Sequence, residues 1–150
     1  MDKKTKALPE VSVVDIEKSK DDAWDFLYLF LDKYFEMIDK NQEVLNDFNT
    51  SQHVLLAYCY LDAQVCNGGF IQLIYNGYGA YVFNTPFADE IKLWGATKTA
   101  EIVERAKIIY DENRTEIEKE TSMNEFMELY EKITKFEPLD NEYLKYTIKK

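Results

Sequence analysis

Across residues 21–38 the apolar positions recur with the period of an α-helix. Turning each residue by about 100° places Phe26, Leu27, Phe30, Leu31, Tyr34, Met37 and Ile38 on one broad face. Asp21, Asp25, Asp32, Glu36 and Asp39, with Glu43 if the helix continues, fall within an arc of roughly 60° on the other side. Lys33 and Lys40 lie beside that arc. The pattern predicts an amphipathic helix whose outer face is an acidic stripe. Residues 42–49 are polar and read as a connection. A second helix is expected from a Thr50 or Ser51 cap to about Cys66, with Val54, Tyr58, Leu61 and Val65 on its apolar face.

Four of the five glycines then fall between Val65 and Gly79. Two Asn-Gly steps, Asn67-Gly68 and Asn76-Gly77, bracket the apolar run from Phe70 to Tyr75. Glycine, and less readily asparagine, adopts the left-handed backbone that ends a helix, so each step reads as a helix stop. The expectation is a short buried helix with sharp bends at both ends, a glycine-rich corner made by Asn67, Gly68, Gly69, Phe70, Asn76, Gly77 and Gly79.

Beyond it, residues 80–84 read as turn-rich. Thr85-Pro86 signals a new helix with a threonine cap, closed at Gly95. A longer helix is expected over 97–113. Ser122 and Glu125 form a capping box for a helix reaching about Phe136. Pro138 breaks the chain, and Asp140 is placed to cap a last short helix through Tyr143, Leu144 and Ile148. No run alternates in the manner of a strand. The fold expected is all-α: a loosely ordered arm over residues 1–20, pinned by Val11, Val13, Val14 and Ile16, and a single compact domain over 21–150. That domain has about six or seven helices around the glycine-rich helix-turn-helix corner.

Composition sharpens this picture. At 150 residues, with 46% hydrophobic residues, eleven Tyr and nine Phe, the chain has the material for a packed core. Its net charge of −10 argues against direct binding to nucleic acid or an anionic membrane and favours a basic partner. The charge is uneven. Residues 21–47 carry eight acids and two lysines, and residues 101–142 carry thirteen acids and six bases, whereas 48–97 are nearly bare. In the second block Glu112, Glu116 and Glu120 recur at intervals of four, roughly 6 Å apart along a helix and near the spacing of nucleic-acid phosphates. Lys107, Lys119 and Lys132 interrupt it. The bland alternative is a solvated outer face, where most charge runs end up.

Reaction chemistry finds little support. The one histidine, His53, is six residues from Cys59 and points to another face. No zinc-ligand spacing and no Glu-x-x-His pair appear, so neither metal nor cofactor is expected. Cys59 and Cys66, about 10 Å apart on one helix, are too distant for a disulfide within it. They fit a reducing cytoplasm. The N-terminus lacks an apolar signal-peptide core, and the apolar runs fall short of a membrane span. The glycine stretch follows a helix rather than a strand and lacks a nearby lysine, unlike a phosphate-binding loop.

The run Gln64-Val65-Cys66-Asn67-Gly68-Gly69-Phe70-Ile71-Gln72, followed by Asn76-Gly77 and Gly79, resembles the core motif of a bacterial all-helical family named for an acidic DNA-mimic protein. Leu93-Trp94-Gly95-Ala96 and Phe136-Glu137-Pro138-Leu139-Asp140-Asn141-Glu142-Tyr143 extend the resemblance over roughly residues 25–148. It implies an all-α domain without enzymatic activity or cofactor. It also implies binding to DNA-binding proteins through a surface that imitates DNA charge.

The leading expectation is therefore a non-enzymatic acidic protein. Asp21, Asp25, Asp32, Glu36, Asp39, Glu112 and Glu116 would occupy the basic site of a protein partner, without direct contact to nucleic acid or membrane. An immunity-type inhibitor of a basic toxin is the close variant. Two rivals differ in kind. One is a small-molecule or enzymatic site using Asp62, Asn67, Gln72 or Asn76. The other is a homodimer formed through Tyr78, Tyr81 and Phe83.

Overall fold

A computed structural model describes residues 7–119 and 122–147. Glu120, Ile148 and the first residues of the expected arm lie outside it. The described residues form eight α-helices and two 3-10 helices, and contain no strand. Their contacts gather into two compact units, one reaching Leu56 and the other Ala57–Thr147.

In the first unit, α1 (Val13–Ser19) occupies part of the expected loose arm and packs on α2 (Ala23–Lys40). Ser12 caps α1 by accepting from the Asp15 N–H at 3.1 Å. Of the residues expected to pin the arm, Val13 and Val14 are exposed, whereas Val11 and Ile16 are half-buried. A further tie lies earlier in the chain, where the Gln52 side chain donates to the Ala7 carbonyl at 2.7 Å. Asp22 caps α2 by accepting from the Asp25 N–H at 2.9 Å. Leu31 and Tyr34 are the buried side chains of α2. The connection that follows is a 3-10 helix, Gln42–Asp47.

Helix α3 (Thr50–Tyr75) begins with a reciprocal cap that neither Thr50 nor Ser51 supplies. The Asn49 carbonyl side-chain oxygen accepts from the Gln52 N–H, and the Gln52 side chain accepts from the Asn49 N–H, each at 2.9 Å. The helix does not stop at Asn67-Gly68. It bends there, through Gly68 (φ −150°) and Gly69 (φ 79°), and resumes to Tyr75. The physical stop is Asn76-Gly77: Gly77 has φ 91°, its N–H donates to the Ile74 carbonyl, and the Tyr78 N–H donates to the Leu73 carbonyl, both at 3.0 Å. This paired arrangement satisfies the carbonyls at the helix end.

In the second unit, α6 (Thr97–Ile117) packs against α4 (Gly79–Phe83), α5 (Phe87–Leu93) and α8 (Glu137–Tyr146). The expected turn over 80–84 is thus α4, and Gly79 lets it approach closely: a Cβ there would stand 3.2 Å from the Tyr110 ring. Thr85 does not cap α5, because its hydroxyl donates back to the Tyr81 carbonyl at 2.7 Å. Helix α7 (Met123–Lys132) starts with the expected Ser122–Glu125 capping box but ends early, and a 3-10 turn, Thr134–Phe136, follows. Pro138 sits in the first turn of α8, where its missing N–H costs no helical bond. The core here is aromatic. Phe70 packs against Phe136, Tyr143 and Phe83 at centroid distances of 6.0, 6.1 and 6.2 Å, and Phe83 lies 4.9 Å from Tyr110.

Helix α3 has the length and apolar character of a membrane span, with a mean hydropathy of 1.2. Run by run it looked too short, because polar residues divide it. It is bent at the glycines, and 56% of its most apolar window is buried. It is a core helix.

Candidate functional site

Helix α2 carries the acidic stripe. Asp25, Asp32, Glu36 and Asp39 are all exposed on it, spanning about 21 Å by the helical rise. Asp21 is exposed too, but it precedes the Asp22 cap and lies in a turn, so helical rotation does not fix its position. Glu43 belongs to the 3-10 helix beyond the break at Asn41. Among the described residues no basic side chain pairs with Asp21, Asp25, Asp32 or Asp39. Glu36 differs: Lys33 approaches it at 3.8 Å, and it shares a groove with Lys33 and Lys40.

The second acidic block is not an uninterrupted row. Glu112 faces Lys135 and Glu116 faces Lys132, each at 3.6 Å. These lysines come from the segment after α6, so their positions could not be read from the spacing of the glutamates. Further along, Lys107 pairs with Asp111 at 2.7 Å, and Arg105 with Glu142 at 2.9 Å. Glu118 accepts from Arg114 and from the Tyr110 hydroxyl. Burial and that carboxylate push the Tyr110 phenol up to about 12.

The glycine segment gathers a polar ladder. Asn67 donates to the Gln72 side chain at 3.2 Å, while Gln72 and Asn76 both donate to Gln64 Oε1, at 3.0 and 2.7 Å. The side chains expected to offer themselves to a ligand are thus bonded to one another across the bend. Asp62 is buried and accepts from the Tyr143 hydroxyl at 3.0 Å and from the Thr147 hydroxyl. Burial, followed by the Asp62 charge, pushes the Tyr143 phenol up.

Asp140 is a residue whose role the sequence misassigned. It lies inside α8 rather than before it, and its Oδ1 accepts from the Phe70 N–H at 2.9 Å. It therefore caps the second half of α3 across the bend. Burial raises its carboxyl to about 6, opposed by the Phe70 hydrogen bond and reinforced by Glu137. No local sequence signal links positions 70 apart.

His53 Nε2 donates to the Leu45 carbonyl at 2.9 Å, and its ring packs on Phe48 at 5.9 Å. Cys59 and Cys66 form no disulfide. Among the described residues no three His, Cys, Asp or Glu side chains are grouped to hold a metal ion. Of the aromatics proposed for a dimer contact, Phe83 is core, and Tyr78 stacks on Tyr60 at 4.6 Å. Tyr81 is half-buried, its phenol pushed up to about 12 by burial and by Tyr60.

An acidic protein built of helices, with a row of exposed carboxylates on one of them, is the class these features define. The chain belongs to the DMP19-like protein family, whose model matches residues 46–150. It is also 38% identical, over 112 residues, to the DNA mimic protein DMP19 of Neisseria meningitidis serogroup B. That match covers 74% of this chain and 64% of the relative, so the chain spans slightly less than two thirds of the relative's length. The family match begins after α2, which leaves the acidic stripe outside it.

Proposed function

We propose that this protein is a non-enzymatic DNA mimic that occupies the basic site of a DNA-binding protein in the cytoplasm, using the exposed face of α2. The observation that carries the reading is the row Asp25, Asp32 and Asp39, exposed along one helix with no basic partner among the described residues. A rigid helix holds these charges at fixed intervals, as a nucleic-acid backbone does. The similarity to a protein named as a DNA mimic supports the same reading. Glu112 and Glu116, each facing a lysine, contribute less uncompensated charge. The polar groups at the glycine bend serve structure, and the reading requires no cofactor.

The experiment is competition for a labelled DNA duplex bound to each of several basic DNA-binding proteins. The wild-type chain is expected to displace the duplex. The variant Asp25→Asn/Asp32→Asn/Asp39→Asn should do so about tenfold less well, since each exposed charge contributes modestly and the three act together. Failure of the wild type against every protein tried, or equal displacement by the variant, would overturn the proposal.

A further inference from the structure

Helix α7 has no buried residue. Its inner edge is held by Phe126, whose ring lies 4.1 Å from that of Tyr75. Beside Phe126 on the same apolar face stand Met123, Met127 and Tyr130, at i, i+4 and i+7 and within an arc of roughly 60°. They are 66%, 57% and 48% exposed. Three large apolar side chains aligned in this way form a stripe rather than a scatter, and such stripes mark contact surfaces. Methionine suits an adaptable contact, because its unbranched thioether repacks readily around a guest.

The stripe leads into a cavity of about 210 Å³, with Tyr130 belonging to both. Ile71, Ile133 and Phe136 supply its apolar wall, while Glu131, Glu137 and Asp140 supply carboxylates. No lysine or arginine lines it. The bases nearest in sequence, Lys132 and Lys135, are directed to Glu116 and Glu112. Burial without a facing cation is also why the Asp140 carboxyl is raised to about 6. An apolar stripe thus runs into an acidic cavity, all within the second unit.

We infer that α7 and this cavity form a docking surface for an amphipathic basic helix of a partner protein. The apolar side of that helix covers Met123, Met127 and Tyr130, and one of its Lys or Arg side chains enters the cavity toward Glu131 and Glu137. This is recognition of a helix by a groove, with anchors at helical spacing. Charge selects the occupant. A second copy of the chain carries a net charge of −10 and would bring like charge to the site, and a small cation would leave the stripe uncovered. The surface is separate in sequence from the α2 stripe and does not depend on its function.

The test uses the full chain and a fluorescein-labelled helical peptide of about 18 residues, leucine at helical spacing and lysine elsewhere, followed by anisotropy. Wild-type binding is expected to weaken about tenfold in Met123→Ser/Met127→Ser and likewise in Glu131→Gln/Glu137→Gln. It should change less than about twofold in Asp25→Asn/Asp32→Asn/Asp39→Asn. All of these side chains are exposed, and circular dichroism verifies that the helices persist. Four results would overturn the inference. One is no binding up to about 100 μM. Another is equal binding of a peptide with serine in place of leucine, which would show attraction by charge alone. The third is a loss confined to the α2 variant. The last is self-association, seen by light scattering and abolished by Met123→Ser/Met127→Ser, which would make a second copy the occupant.

Discussion

Asp140 shows how one residue can join distant parts of the chain. Its carboxylate accepts the Phe70 N–H at 2.9 Å, so it is the acceptor that the second half of α3 needs at its start. Because burial raises its pKa from 3.8 to about 6, the folded protein binds the Asp140 proton more tightly than the unfolded chain does. Stability from this group is therefore fully present below about pH 4, falls as pH rises to about 6, and is flat above. Taken at full value the shift is worth about 3 kcal/mol, and partial exposure reduces that to about 1–2 kcal/mol. Asp140→Asn keeps the acceptor and cannot ionise. Its stability relative to wild type, from urea unfolding at each pH, is expected to improve by about 1–2 kcal/mol between pH 4 and pH 7. A difference that does not vary with pH would remove the ionised Asp140 from the account. From the sequence, an aspartate two residues after Pro138 looked like a helix cap. Local spacing could not show that proline sits inside the first turn and that the carboxylate turns to another helix.

At the scale of the element, the bend in α3 rests on Gly69. Its φ of 79° with ψ of −178° lies in a region open essentially to glycine alone, and a Cβ there would collide with the Asp140 carboxylate. Gly77, at φ 91°, has nothing within 4 Å of where a Cβ would stand. Gly69→Ala should therefore cost about 2–3 kcal/mol, and Gly77→Ala about 1 kcal/mol, in urea unfolding. Equal losses would mean that the contact with Asp140 adds nothing to backbone strain. The Asn76-Gly77 stop was legible because a helix end is written in two or three neighbouring residues. Asn67-Gly68 carries the same letters but yields a bend, since the next glycine takes the positive φ and the helix resumes. Caps divide in the same way. Ser122–Glu125 was readable, whereas Asn49–Gln52 was missed because Asn49 read as the end of the polar connection and Thr50 and Ser51, next to it, are cap-forming residues themselves.

For the whole molecule, charge is the property that reaches furthest. If the α2 stripe engages a basic surface, association should slow steeply with salt. The rate should drop about tenfold or more between 50 and 300 mM salt, with dissociation changing much less, as read by stopped-flow or surface binding. A dissociation rate that carries most of the salt effect would argue for a desolvated interface instead. The net charge of −10, the all-helical character and the amphipathic face of α2 follow from the sequence by itself, because composition and the 3.6-residue period are local. The family's motif was likewise visible as a string of residues. Tertiary structure decided which carboxylates remain without a cation, since Lys132 and Lys135 reach Glu116 and Glu112 only through the chain's return after α6. It also decided that Phe83 is core while Met123, Met127 and Tyr130 are exposed. Periodicity tells which residues share a face. Only packing determines whether another element covers that face, because contacts between distant segments leave no local mark.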